Sequence, residues 1–363
     1  MHAPPRLLAP VALACAALLG ACEGAEHAGS GGSVAIAGSS AGGAAGAAGG
    51  AGGQAAGGTG VGGQSAGGGG AGYDGPRLLS ETGLYSNIAT RQLASGVQGY
   101  GVRYPLWSDG SVKTRYVWLP PGAQIDTSDA DHWDFPVGTK AWKQFERSGK
   151  LIETRLVEKT ADGFEAVAYE WRADGSDADV RPEGVENVAG TSHDVPSQGQ
   201  CLECHTNSHD YFLGLTVVQL STSVTDSELQ RMALRGWFSA PMSVYQAPGT
   251  PEQAAGLGYL HGNCGHCHRV EHPIGRKLGL QLLLRSGDQD FESTGFAVST
   301  PNAPAKHVIG GTAVIVTPGE PSQSQLWVRS GLRDLEGMPP LGTEQVNPSG
   351  QDAIAALIRS LEP

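Results

Sequence analysis

The stretch HGNCGHCHRV, residues 261–270, carries two cysteines three positions apart and a histidine directly after the second. The same pattern occurs once more, as CLECH at residues 201–205. Four of the six cysteines in this chain of 363 residues belong to these two pairs. Such pairs occur in zinc sites, redox-active dithiols, disulfide-bonded domains and covalent haem attachment sites.

Zinc and dithiol chemistry explain only part of the pattern. Zinc sites built from two such pairs commonly keep them about 15 to 20 residues apart, whereas Cys201 and Cys264 are separated by 63 positions. This spacing disfavours a compact zinc knuckle but leaves zinc open. A redox dithiol or a disulfide uses the cysteines and gives no reason for the histidine after each pair.

Covalent haem attachment explains every position of both motifs. The two thiols form thioethers with the haem vinyl groups, and the adjacent histidine ligates the iron. With 11 histidines in 363 residues, a histidine after both pairs is expected by chance in about one sequence in a thousand. We therefore predict two covalently bound haem c groups. Their attachment cysteines and iron-ligating histidines are Cys201, Cys204 and His205 for the first haem, and Cys264, Cys267 and His268 for the second.

Residues 1–21 have the features of a secretory signal peptide, since Arg6 precedes a short apolar run. The run ends in LGAC, residues 19–22, which resembles the bacterial motif in which the cysteine is lipidated. We expect Cys22 to carry lipid and to anchor the protein on the periplasmic side of a bacterial membrane or at the cell surface. An ordinary signal peptide cleaved nearby is the alternative.

Residues 22–75 are almost entirely glycine, alanine and serine. This composition lacks the large apolar side chains that offset the entropy of ordering, and it predicts a disordered linker. The formal net charge of the chain is −12. An acidic chain is not expected to bind nucleic acid, because phosphate contacts need lysine and arginine.

Residues 76–247 are expected to form a β-rich domain that carries the first motif. Short apolar runs alternate there with turn signals such as PPG and ADG. In VAYEW, residues 167–171, large apolar side chains occupy every second position, as in a strand with one buried face. We predict an antiparallel, β-sandwich-like domain. A short helix is expected near its end, with Thr225 and Glu228 as a capping box.

Residues 248–363 follow a helical pattern. Thr250, followed by a proline, is a helix start that leads into the second motif. A closing helix would place Ile354, Leu357 and Ile358 on one face. The expected fold class is therefore α+β, with an N-terminal antiparallel β-sandwich-like domain followed by a mainly α-helical domain.

The C-terminal region resembles a class I cytochrome c, in which a helix leads into CxxCH, a methionine loop follows and a closing helix packs across the first. The loop here is EGMPPLG, residues 336–342. The resemblance covers roughly residues 248–363 and implies a cytochrome c-like domain. It implies that Met338, 70 positions after His268, is the distal ligand of the second haem. A methionine ligand raises the reduction potential of haem iron.

From about residue 79 to residue 363 the chain also resembles a bacterial family of secreted dihaem c-type cytochromes of unknown substrate. The motifs PLWSDG, WDFPVGT, the two CxxCH pairs and MPPLG carry this resemblance. It implies two haems and electron transfer. The first motif lies near the end of the β-rich region, which is similar to the layout of β-sandwich c-type cytochromes.

The second ligand of the first haem is not defined by any pattern. The candidates are Met232, Met242, His193, His209 and His261. An iron without a protein ligand on that side is the alternative, and it would leave the first haem able to bind small molecules.

Together these features predict a membrane-tethered periplasmic dihaem cytochrome that transfers electrons to a partner protein the sequence does not identify. We expect an electron carrier rather than an enzyme, since the glycine-rich tract follows no predicted strand and lacks the GKS or GKT sequence of a phosphate loop. Two alternatives stay open: a dihaem peroxidase-like oxidoreductase, and a surface- or glycan-binding β-domain with a redox module. Asp109 is expected to be a turn residue that binds nearby backbone amides.

Overall fold

The computed structural model describes residues 73–362. The predicted signal peptide, Cys22 and the predicted linker up to residue 72 lie outside these residues. Tyr73, which falls inside the predicted linker, is buried, and its hydroxyl lies 3.2 Å from that of Tyr169. No helix in the described part of the chain is long and apolar enough to cross a membrane.

Strands dominate the first half of the described region and helices the second. The strands are β1 (Tyr85–Asn87), β2 (Gln92–Leu93), β3 (Gln98–Tyr100), β4 (Val112–Trp118), β5 (Lys140–Arg147), β6 (Lys150–Thr160), β7 (Gly163–Trp171), β8 (Ala178–Val180), β9 (Pro304–Ile309) and β10 (Thr312–Val314). The α-helices are α1 (Gln198–His205), α2 (Val217–Leu220), α3 (Glu228–Leu234), α4 (Pro251–Asn263), α5 (Pro273–Leu278), α6 (Gly295–Ser299), α7 (Gln325–Ser330) and α8 (Pro348–Arg359). This mixture confirms the α+β class.

Strands β3 to β8 form one antiparallel sheet in which each strand pairs with the next along the chain. Its four longest strands, β4 to β7, lie where the apolar runs predict them. The other described strands pair only as two-stranded ribbons, β1 with β2 and β9 with β10. The β-rich region is therefore a single large sheet, without the second large sheet of a sandwich among the described residues.

Both faces of this sheet are covered. Val167, Tyr169 and Trp171 pack on one face against the residues that precede β3. Ala166 and Ala168 face the other way, yet they too are buried, because helix α1 lies against β7 on that side. The period-two pattern of β7 is therefore real, but it does not separate core from solvent.

Helix α4 begins as predicted at Thr250, whose hydroxyl accepts a hydrogen bond from the third residue of the helix. It crosses helix α8 closely, since a Cβ atom at Gly256 would lie 2.5 Å from Cβ of Leu357. Ile354, Leu357 and Ile358 are fully buried. The apolar face predicted for the closing helix is thus the face that packs on α4 and its surroundings.

Helix α3 exists where the sequence predicts a helix, but its cap is different. The capping box is formed by Ser227 and Gln230, and the prediction of Thr225 with Glu228 was wrong. The carboxylate of Glu228 instead accepts a hydrogen bond from the backbone N–H of Gly101 at 3.1 Å. The side chain of Glu228 therefore binds a residue that is distant in the sequence and does not cap its own helix.

One hydrophobic core runs through both predicted domains. Leu229, from the region of residues 76–247, is buried in the same cluster as Leu260 and Ile354, from the region of residues 248–363. The sheet contributes to this cluster through one end of β4 and the loops that follow it. The two regions therefore stabilise each other through shared apolar burial.

The turn WSDG, residues 107–110, fastens the loop that follows the MPPLG motif. Asp109 is buried. Its carboxylate accepts hydrogen bonds from the hydroxyl of Thr343 at 2.6 Å and from the backbone N–H groups of Glu344 and Gln345 at 3.0 and 2.8 Å. The expectation that Asp109 binds nearby amides was wrong, since these partners are 234 to 236 positions away.

The same segment also contacts the helix that leads into the second motif. The backbone N–H of Trp107 donates to Oδ1 of Asn263 at 2.7 Å, and its indole N–H donates to the carbonyl of Gln345 at 2.8 Å. Tyr104 lies so close to α4 that a Cβ atom at Gly258 would be 2.1 Å from its ring. Residues 104–110 thus join helix α4 to the methionine loop.

We predict that Asp109→Asn lowers the free energy of unfolding by about 2 kcal/mol, because an amide replaces a charged acceptor of several hydrogen bonds in a buried place. Asparagine keeps the size of the side chain and tolerates the left-handed backbone of this position, where φ is 52°. Urea unfolding followed by tryptophan fluorescence measures the change. Asp162→Asn, at an exposed turn position, is the control, and equal stability of the two variants would contradict the role given to Asp109.

Candidate functional site

The first motif lies within helix α1, which ends at its histidine. The side chain of Gln198 ties the start of this helix to the sheet by donating to the carbonyl of Ala166 at 3.2 Å. Cys201 and Cys204 are partly buried, and all four motif cysteines have free thiols. The thiols of the first motif are therefore held close to the sheet and available for attachment chemistry.

His205 is oriented as a metal ligand would be. Its Nδ1 donates to the backbone carbonyl of Tyr211 at 2.6 Å, which leaves Nε2 free to coordinate. Burial lowers the pKa of His205 to about 4, so the ring is neutral at higher pH, as coordination requires. Its ring centroid lies 6.1 Å from that of Phe164.

An unusual backbone presents the Tyr211 carbonyl to His205. Asp210 and Tyr211 have φ values of 48° and 67°, in a region that residues other than glycine rarely adopt. The Asp210 carboxylate is held by Nζ of Lys159 and by the backbone N–H of Phe135. Strained conformations that are fixed by their surroundings are typical of functional sites.

The second motif borders an open pocket whose empty space, including the solvent at its mouth, is about 670 Å³. Cys264, His268 and Met338 all line this pocket. Its apolar walls are formed by Leu278, Leu280, Leu282, Ile315 and Leu326. The structure thus brings together an attachment cysteine, the predicted proximal histidine and the predicted distal methionine.

The polar groups of this pocket fit a haem. Nδ1 of His268 is buried without a hydrogen-bond partner among the described residues, and burial lowers the pKa of this histidine to about 4. Burial also raises the pKa of the Cys264 thiol to about 12. Lys306 and Arg329 line the same pocket. Apolar walls with two cations suit a flat apolar ring that carries two carboxylates.

The two motifs meet at their second cysteines. The sulfur atoms of Cys204 and Cys267 and a ring nitrogen of His266 all lie within 4.8 Å of one another. The Cys267 thiol, with burial as a second cause, raises the pKa of Cys204 to about 12, while Cys204 lowers the pKa of Cys267. His266, a spacer residue, is only partly exposed. Two sequence segments that share one pattern therefore form one continuous site.

This cluster does not complete a structural zinc site. Such sites use four protein ligands, whereas the donors brought together in the described part of the chain are Cys204, His266 and Cys267. Cys201 and Cys264 lie outside the group. The two cysteine pairs are thus not arranged around a single ion, and each pair faces surroundings of its own.

The contacts of the five candidates for a second ligand of the first predicted haem do not single out one of them. His193, His209 and His261 each have a polar protein partner, at 2.7, 3.1 and 3.1 Å. Met232 is buried in the hydrophobic core, and Met242 packs against it. The structure therefore does not select a second ligand for the first haem from these five residues.

Two features of the site were missed by sequence reasoning. The group that binds His205 is the backbone carbonyl of Tyr211, and a pattern of side chains cannot predict a contact with a backbone group. Asp109, which fixes the methionine loop, stands in the PLWSDG motif that carries the family resemblance. That motif marked the residue, but its partners beyond residue 340 could not be read from the sequence.

Comparisons of this chain with models of known protein families, with curated proteins and with solved structures found no match.

Proposed function

We propose that this protein is a dihaem c-type cytochrome of the bacterial periplasm that exchanges electrons with a partner protein. The observation that carries the proposal is the pocket lined jointly by Cys264, His268 and Met338. The resemblance of residues 248–363 to class I cytochromes c, and of the longer chain to secreted dihaem cytochromes, supports it. When bound, haem supplies a one-electron couple, and the chain's own residues attach it, ligate it and shield it.

In the second centre, Cys264 and Cys267 provide the attachment sulfurs, and His268 and Met338 provide neutral ligands for iron. The leucines of the pocket exclude water, while Lys306 and Arg329 neutralise the haem carboxylates. Burial and a thioether ligand both favour the ferrous state. This centre is therefore the one of higher reduction potential.

In the first centre, Cys201 and Cys204 provide the attachment sulfurs and His205 the proximal ligand. The hydrogen bond from Nδ1 of His205 to the carbonyl of Tyr211 makes the imidazole a stronger donor. A stronger donor stabilises ferric iron and lowers the potential. A haem held by His205 would thus have a lower potential than one held by His268 and Met338.

The contact between the motifs supports transfer within the chain. Cys204 and Cys267 are each the second attachment sulfur of their motif, and they lie within 4.8 Å of each other. Two haems attached to these two sulfur atoms would therefore be close to each other at their points of attachment. The adjacency of the motifs therefore favours a two-centre electron carrier over two unrelated haems.

The proposal places the protein at a membrane through lipid on Cys22. Residues 22–75 connect this position to the described region, and their glycine-rich composition suits a tether. A tethered carrier stays near the membrane while its folded part reaches a partner. The chemical nature of that partner is outside the proposal.

We predict about two haems per chain after expression with haem maturation, measured as pyridine haemochrome against protein concentration. Cys201→Ser with Cys204→Ser, or Cys264→Ser with Cys267→Ser, should each remove one. His266→Ala separates haem from a bare metal ion, since it should leave the haem count unchanged. If the wild-type protein binds zinc and His266→Ala does not, the cluster of Cys204, His266 and Cys267 binds a metal ion instead.

We predict that Met338→Ala lowers one of the two reduction potentials and leaves the other nearly unchanged, because a soft thioether ligand is removed from one iron only. The weak far-red band of sulfur-ligated ferric haem should disappear with it. Spectroelectrochemical titration measures both. Met242→Ala is the matched control and should keep the band; a band that survives in Met338→Ala would reject the ligand assignment.

We predict that Cys22→Ser moves the protein from the membrane fraction to the soluble periplasmic fraction, because the lipid anchor can no longer be attached. Fractionation followed by immunoblotting measures the distribution. Cys15→Ser, inside the predicted signal peptide, is the control. A wild-type protein already found in the soluble fraction would exclude the anchor.

A further inference from the structure

A row of basic side chains crosses the sheet on the face towards helix α1. Arg115 on β4, Lys143 on β5 and Arg155 on β6 are directly opposite one another in the strand register. Lys113 lies two positions before Arg115 and hence on the same face. Directly opposed residues of neighbouring strands have Cβ atoms about 5 Å apart, and like charges there are destabilising.

The row has too few negative partners. Glu153, also on this face, pairs with Arg155 at 2.6 and 2.9 Å. The polar contacts of Lys113 and Arg115 are with neutral oxygen atoms. Lys143 forms no hydrogen bond or ion pair within residues 73–362, and its amine lies 5.9 Å from the centre of the Phe145 ring. Among the described residues, Lys113, Arg115 and Lys143 thus have no carboxylate in hydrogen-bond contact.

These cations are partly withdrawn from water, since Arg115 is buried and Lys113, Lys143 and Arg155 are half-buried. Arg115 is 9% exposed, and burial lowers its pKa. Burial, followed by the charges of Arg115 and Arg155, lowers the pKa of Lys143 well below its ordinary value. The same causes lower the pKa of Lys113 to about 8. Buried charges in proteins are normally paired, so this arrangement calls for an anion.

The row lies next to the first motif. Arg155 is directly opposite Ala168 of strand β7, and helix α1, which bears the first motif, lies against β7. The side chain of Gln198, at the start of α1, donates to the carbonyl of Ala166, two positions before Ala168. A group held by these cations would therefore adjoin the first attachment site.

We propose that Arg115, Lys143 and Arg155, together with Lys113, form a binding site for a carboxylate or small oxyanion beside the first haem centre. Guanidinium groups bind two oxygen atoms of such an anion side by side, and lysine adds a point charge. The anion has two sources, a carboxylate of the first haem or a free oxyanion. The haem source rests on the proposed function, whereas the free oxyanion does not.

The test compares two lysines of strand β5. Lys143→Gln removes the unpaired cation, and Lys143→Met is a second variant of similar length. Lys140→Gln is the matched control, because Lys140 lies on the opposite face of the same strand and pairs with Glu158 at 3.3 Å. Far-ultraviolet circular dichroism establishes that each full-length variant is folded.

The two sources give different positive results. If a haem carboxylate occupies the row, both Lys143 variants lower one reduction potential, Lys140→Gln lowers neither, and inorganic phosphate has no effect. If the site takes free oxyanions, phosphate raises the melting temperature of the wild type and of Lys140→Gln to a plateau. Its apparent affinity then falls about tenfold or more in the Lys143 variants, because a charge-assisted contact is lost.

The proposal is overturned if the Lys143 variants match Lys140→Gln in both potentials and in the response to phosphate. Failure of the proposed function is distinguished by the haem count of the wild type. A chain without haem contradicts that function, but the phosphate response of its unfolding still tests the basic row. Binding of phosphate that does not depend on Lys143 also overturns the proposal.

Discussion

The hydrogen bonds of one turn, residues 107–110, join three segments of the chain that are distant in sequence. Asp109 fixes the chain at residues 343–345, while Trp107 in the same turn contacts the end of helix α4. The methionine loop and the helix that bears the second CxxCH motif are thus positioned by a turn from the β-rich region. The surroundings of the second CxxCH motif therefore depend on a segment that is distant in the sequence for their assembly.

Local patterns predicted the elements of the fold well. Hydrophobic periodicity gave the long strands and the buried face of helix α8, and Thr250 with its following proline marked the start of α4. The two CxxCH motifs and Met338 were also identified from the sequence, and Met338 does lie in a pocket with Cys264 and His268. The confirmed helices and strands share a cause, since helix starts and strand alternation are set by residues a few positions apart, whereas haem attachment at the two motifs stays a prediction.

Contacts between distant segments could not be predicted in the same way. Glu228 was expected to cap its helix, but its carboxylate accepts a hydrogen bond from Gly101 instead. The contact of Cys204 with His266 and Cys267 joins parts of the chain some 60 positions apart. The basic row likewise needs the register of three strands, whereas each strand alone shows only a charged residue on one face. Alternation identifies a face of a strand, but not what covers it.

The glycines of helix α4 have a consequence for the order of events during synthesis. Gly256, Gly258 and Gly262 leave room for Leu357 and Tyr104, and together they weaken the isolated helix by about 3 kcal/mol relative to alanine. Helix α4 therefore becomes stable only when α8 has been made and has packed against it. We expect the thiols of the second motif to stay accessible until that packing has formed. The late synthesis of α8 would then leave a period in which Cys264 and Cys267 can react before they become half-buried.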